Sequence, residues 1–446
     1  MLYYKIEVNV PFIKQKASTA IEYLILQFTI LYMQHGYTQK NKAILIILCM
    51  LSLMGCVEEF EADSIKFEKL LVVDGNISDQ QKEHAIKLTY TSPIDDQTDV
   101  SNAASGAAVW VEDNIGNRTD FIEQNTPGLY LSPADFAGIP GRSYALYITT
   151  SEGDSYKSTF QTLTPAPEIS RIYNRYSVDT GDGKSTSTPG FQFFIDVDNT
   201  LSSSQFFRYE WSDAHQVIVP YIKKYEAEIQ PNGSYTITDF DEDVKECYRE
   251  DHFQEIILQT SSNNEGGSLQ EVPIKFTASS EFDVTTKYSI EVTQRAISPE
   301  AYSYYRKLEL FNESNGSLFD RQQGIVVGNL QSVNNPDEKV LGYFEVSGTT
   351  SKRVFLALTD LDPKGFEHVY RTCNEHGIIE FEGSLDEFYN ATDVPEEERS
   401  TAILVRSVYD IFDQLGGLGE IVQQMAHRHC VDCRYNGQLG KPSYWQ

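Results

Sequence analysis

Basic side chains are scarce in this sequence: 36 Lys and Arg stand against 65 Asp and Glu, a net charge of −29. That excludes nucleic acid as a partner, because phosphate binding needs clustered Lys and Arg, and it excludes charge-driven adhesion to anionic lipid. A strongly acidic balance favours a soluble, hydrated body. Tryptophan is nearly missing, with 3 residues beside 27 Tyr and 24 Phe, as in β-rich surface proteins. No G-x-S-x-G elbow, Walker loop or H-E-x-x-H motif is present. His215, His252 and His368 stand isolated, and no acid–base pair follows from spacing. We expect no catalytic residues, no cofactor and no metal, and therefore a protein that is not an enzyme. Apolar runs are short as well. The run at 43–54 falls short of the roughly 20 residues of a membrane-spanning helix.

Ala43 to Met54 is nevertheless an apolar run of signal-peptide length, preceded by Lys40 and Lys42. It ends in Leu53-Met54-Gly55-Cys56, which is similar to the bacterial lipobox, where the cysteine becomes the first mature residue and carries acyl chains. Several acyl chains are needed for stable anchoring, and that modification supplies them. Residues 1–32 do not fit a signal peptide. Met33 as the start gives a signal of ordinary length, so we set aside 1–55 as a signal peptide with a mis-assigned N-terminal extension. The competing reading is a membrane-spanning segment over the second apolar run, 23–33. Five Lys and two Glu leave with residues 1–55. The remaining 391 residues carry 31 basic against 63 acidic side chains, a net −32.

Four of the six cysteines lie beyond Cys56: Cys247, Cys373, Cys430 and Cys433. In an oxidising compartment an even number reads as disulfides. Cys430 and Cys433 are too close for an unstrained mutual bridge, so they are expected to reach Cys373 and Cys247. The rival is a metal site in His427-Arg428-His429-Cys430-Val431-Asp432-Cys433, because a Cys-x-x-Cys pair is a common half of a zinc site.

Residues 56–66 read as an acidic tether. From 67 to 165, short alternating segments are separated by Gly and Asp turns, which predicts an immunoglobulin- or transthyretin-like β-sandwich. Ile86, Leu88 and Tyr90 share one face, as do Val109 and Val111, and Tyr144, Leu146 and Ile148. A turn is expected at Asp74-Gly75. Pro165 and Pro167 mark a boundary, and 166–446 is predicted to be a larger β-rich domain with a few helices. Within it, 190–199 and 206–213 look like paired strands. Ser298-Pro299-Glu300 starts a helix with a cap, an N1 proline and a first-turn acid. Residues 342–358 read as a hairpin, and 401–428 as one or two helices. Asp179, Asp182, Asp196 and Asp198, and the acidic stretch 239–246, weakly suggest calcium. A polar turn and a solvated loop are the simpler readings.

Further residues carry a family resemblance. The 317–355 stretch, with its Gly316–Asp320 turn, Gly328-Asn329, the Asn335–Glu338 turn and Gly342-Tyr343-Phe344, resembles the DUF4249 family of Bacteroidota outer-membrane lipoproteins. "LVVDGNISD", "ISPEAYSYYRKL" and the ending with Cys430, Cys433, Lys441, Pro442 and Trp445 are similar too. Tyr248 departs from the pattern, since Trp often follows that cysteine. The resemblance implies an accessory lipoprotein, lipid-anchored in the outer membrane and displayed at the cell surface. Its implied partner is a TonB-dependent outer-membrane barrel, whose substrate it would help to capture. The alternative function is an independent adhesion or ligand-binding module at the cell surface; an extracellular hydrolase comes third.

Overall fold

The computed structural model describes residues 68–92, 102–180, 187–199, 203–229, 235–252, 255–262, 264, 267–279, 287–313, 325–364, 379–382, 387–388, 402–409 and 421–446. All described residues belong to one compact unit, Phe67–Gln446, which is mainly β. Strands β1 (Leu71–Ser78), β2 (Ala85–Tyr90), β3 (Ala108–Asp113), β4 (Arg118–Glu123), β5 (Leu129–Leu131), β6 (Ser143–Thr149), β7 (Ser155–Ser158) and β8 (Gln161–Thr162) come first. Next are β9 (Ile169–Asp179), β10 (Thr188–Val197), β11 (Phe206–Ile218), β12 (Tyr225–Ile229), β13 (Tyr235–Asp239), β14 (Glu246–His252), β15 (Ile257–Thr260), β16 (Leu269–Ala278) and β17 (Lys287–Ala296). Helix α1 (Pro299–Glu313), β18 (Leu330–Ser332), β19 (Leu341–Ala357), β20 (Ile379–Glu382), β21 (Ala402–Tyr409) and β22 (Ile421–His427) complete the order.

Period-2 alternation builds the first sandwich. Leu71, Val73 and Ile77 of β1, Ile86 and Leu88 of β2, Val109 and Val111 of β3, and Leu146 and Ile148 of β6 all enter one core. Each such side chain contributes about 1.5–3 kcal/mol when fully buried. The expected turn at Asp74-Gly75 does not form, because β1 runs straight through it. A Cβ on Gly75 would sit 3.0 Å from Ile86 Cγ1, so glycine here admits a neighbouring side chain.

This core is closed by residues far down the chain. Leu330, Val340, Phe344 and Val346 complete it, and β19 lies parallel to β1, from Val72 opposite Leu341 to Ser78 opposite Ser347. The same strand then pairs antiparallel with β17, from Gly348 opposite Ala296 to Ala357 opposite Lys287. The expected hairpin over 342–358 is thus one 17-residue strand. Gly348 makes no turn. Its amide donates to the Thr164 carbonyl at 3.0 Å, and a Cβ there would lie 2.2 Å from that oxygen. Residues 164–168 separate β8 from β9, but β19 serves both halves.

In the second sandwich the sheet β16-β10-β9 faces the strands β14-β11-β17-β19 of the large sheet. Phe191, Phe193 and Ile195 of β10 and Phe207 and Tyr209 of β11 share its core. The segments 190–199 and 206–213 therefore oppose each other across the core instead of pairing, since β10 bonds to β9 and β16 and β11 to β14, β15 and β17. Helix α1 begins as its sequence predicts, with Ser298 Oγ accepting from the Ala301 amide at 3.1 Å. Where one or two helices were expected over 401–428, Ala402–Tyr409 and Ile421–His427 are antiparallel strands, β21 and β22; residues 410–420 lie outside the described residues.

A buried ionic group occupies the join between the two cores. Glu345 of β19 accepts from Arg208 Nε of β11 at 2.9 Å and from Ser347 Oγ at 2.9 Å. Arg208 also meets Glu210 at 2.8 Å, and Arg295 Nε of β17 donates to Glu210 at 3.0 Å. Burial pushes the Glu345 carboxyl up, but Arg208 and Arg295 outweigh it and hold the group at about 2.

Candidate functional site

The inner face of β11 is apolar at Phe207 and Tyr209, then turns polar at Asp213 and His215 before Val217. Strand alternation puts residues i and i+2 on one face, so Asp213 and His215 project together into the second sandwich. Asp251 on β14 is the direct cross-strand partner of Asp213. The facing sheet supplies Lys275 of β16, whose ammonium pairs with Asp213 Oδ2 and lies 4.1 Å from the centre of the Trp211 ring. Tyr288 of β17 donates its hydroxyl to Asp213 Oδ2 at 2.7 Å, and the His215 ring packs on Tyr288 at 4.8 Å. His215 Nε2 is 3.7 Å from Asp213 Oδ2.

Asp213 and His215 are both 1% exposed, whereas the Asp251 side chain is 52% exposed and reaches Arg249 at 3.5 Å. The cluster thus runs from the sandwich interior to solvent. Burial raises the Asp213 carboxyl, but the nearby His215 ring and the Lys275 charge outweigh it and bring the group to about 2. One ligand-type atom from each of Asp213, His215 and Asp251 lies within 4.8 Å of the others. The sequence signal for this site was Asp213-x-His215 within an otherwise apolar-alternating strand. His215 had seemed isolated because Lys275, Tyr288 and Asp251 come from other strands.

The cysteines form a second structured region. Cys247 of β14 and Cys433 are joined by a disulfide, with their Cα atoms 5.4 Å apart, and pack with Val217 and Val219. Cys430 is also disulfide-bonded; Cys373 and Cys56 lie outside the described residues. With both sulfurs oxidised, Cys430 and Cys433 offer no thiolate to a metal. His427 and His429 are stacked at 5.0 Å, and His429 Nδ1 is 2.8 Å from Asn436 Oδ1. The tail beyond the disulfide lies on the large sheet. Tyr248 and Gln438 exchange two backbone hydrogen bonds of 2.9 Å. Trp445, 6% exposed, packs edge-on against Tyr248 at 5.1 Å and Phe355 at 5.5 Å.

Among the acidic residues considered for calcium, Asp196 is engaged by its neighbours. Asp196 accepts from Tyr173 and from the Glu271 amide at 3.2 and 2.8 Å and pairs with Arg171 at 2.5 Å. Asp182 and His368 lie outside the described residues.

A double β-sandwich clamped by its own C-terminal tail is the class this architecture defines. The chain belongs to the family described as a domain of unknown function (DUF4249), which it matches over residues 57–353. No curated protein matches it. One solved structure that it resembles, titled "Complete structure of manganese lipoxygenase of Gaeumannomyces graminis and partial structure of zonadhesin of Komagataella pastoris", is 8% identical. That likeness covers 65% of this chain and 97% of the other, with a TM-score of 0.14.

Proposed function

We propose that this protein is a lipid-anchored accessory subunit of a TonB-dependent uptake system, displayed on the outer surface of the outer membrane. The observation that carries this reading is the junction at Cys56. The lipobox-like Leu53-Met54-Gly55-Cys56 immediately precedes the family match, which starts at Val57, and the compact body starts at Phe67. Between them stand ten residues, six of them charged or polar. A tether of that length reaches on the order of 15–20 Å, enough to hold the body beside a barrel mouth. Anchoring raises the effective concentration of the body at the membrane, so a weak interface can still be occupied. Disulfides at Cys247–Cys433 and Cys430 support an oxidising compartment. The acidic residues Glu58, Glu59 and Glu61 directly after the anchor support display on the outer face.

The test is substrate uptake by a deletion strain. Wild-type protein should restore uptake, and the Cys56→Ser variant, which cannot be acylated at that position, should fail to restore it or accumulate as precursor. Unchanged uptake in the deletion strain would reject the transporter role and favour an independent adhesion module.

A further inference from the structure

The Asp213 cluster has a feature that packing and charge pairing leave unexplained. Oδ2 of this carboxylate is engaged by Tyr288 at 2.7 Å and by the Lys275 ammonium. Oδ1 is buried and has no hydrogen-bond partner among the described residues. An unmatched carboxylate oxygen in a residue 1% exposed is costly, because a buried polar atom without a partner loses its hydration.

Three further observations set what the site would take. First, Asp213 and His215 are at i and i+2 on one strand and Asp251 is directly across from Asp213. That places two donors on one strand face and a third beside them. Second, the donor atoms already lie within 4.8 Å of one another. Metal–oxygen and metal–nitrogen bonds of about 2.0–2.2 Å bring ligand atoms to within roughly 4.4 Å at most. A rotation of the half-exposed Asp251 side chain covers that difference and also gives an entry path from solvent. Third, metal-bound carboxylates are held by outer hydrogen bonds, and Tyr288 and Lys275 hold Oδ2 in this way while leaving Oδ1 open.

We propose that Asp213, His215 and Asp251 form a divalent transition-metal site, bound through one imidazole nitrogen and two carboxylates, with Tyr288 and Lys275 as positioning residues. An imidazole among oxygen donors selects zinc-like ions over calcium or magnesium, which prefer oxygen alone. The Lys275 charge offsets one of the two carboxylates. The inference is independent of the transporter reading.

The experiment is calorimetric titration of the full chain, stripped with a chelator, with zinc chloride. One saturable equivalent is expected. His215→Ala and Asp251→Asn should each weaken it by about tenfold or more, while a His427→Ala/His429→Ala double variant should leave it in place. Asp251→Asn is the safeguard against misfolding, because that side chain is largely exposed, and thermal melts establish that the variants are folded. Absence of a saturable equivalent, or one that persists in folded Asp251→Asn or His215→Ala protein, would overturn the proposal.

Discussion

Arg208 Nε lies 2.9 Å from Glu345 Oε2, and the two side chains are 11% and 1% exposed. Strands far apart in the chain thus bring one charge pair to the join between the two cores. Removing one partner of a buried pair is costly because it strands the other charge. Glu345→Gln should therefore destabilise the body by about 3 kcal/mol or more, read by urea unfolding. A loss below about 1 kcal/mol would show that the pair is dispensable.

The same residue predicts acid sensitivity. Glu345 titrates at about 2 when folded, below its ordinary value of 4.5. Its stabilisation is fully present above the unfolded value and is lost as pH falls from about 4.5 towards 2. By linkage it amounts to roughly 3 kcal/mol. Asp213, also at about 2, acts in the same direction. Wild-type stability measured against pH should fall steeply below 4.5, and Glu345→Gln should flatten that slope. An unchanged slope in the variant would remove Glu345 from the account.

Gly348 distinguishes a continuous β19 from a hairpin. A methyl there would press on the Thr164 carbonyl and on Pro165 and Ala166. Gly348→Ala should cost about 1–3 kcal/mol through overpacking, read as a lower midpoint in urea. At an ordinary turn position the same change would be neutral or mildly stabilising.

The Cys247–Cys433 bridge spans 186 positions. Peptide mapping of unreduced protein should recover these two cysteines in one linked species. Cys433→Ser should cost about 2–5 kcal/mol and should loosen the tail, making the 434–446 segment sensitive to protease. Linked peptides joining Cys430 to Cys433 would contradict the arrangement.

Much of the fold was legible because burial in a sandwich imposes period 2. Ile86 and Leu88, Val109 and Val111, and Leu146 and Ile148 all showed their inward faces. The α1 cap was equally local, written in Ser298, Pro299 and Glu300. What escaped was long-range. Gly75 and Gly348 resemble turn residues in isolation, yet each is glycine because another segment comes close. The apolar stretches in β21 and β22 are short and separated by Gly-rich sequence, so their period alone does not distinguish strand from helix. That β10 and β11 oppose each other instead of pairing depends on β16 and β17 supplying their neighbours. The polar site was hidden for the same reason, since Asp213-x-His215 gains meaning only when Lys275, Tyr288 and Asp251 arrive from three other strands.

Affinity purification of tagged, full-length protein from gently solubilised outer membranes tests the central claim most directly. The account predicts co-recovery of a TonB-dependent barrel in near-stoichiometric amount, with loss of that barrel when Cys56→Ser removes the anchor. Recovery of the tagged protein alone from membranes in which the barrel is abundant would contradict it.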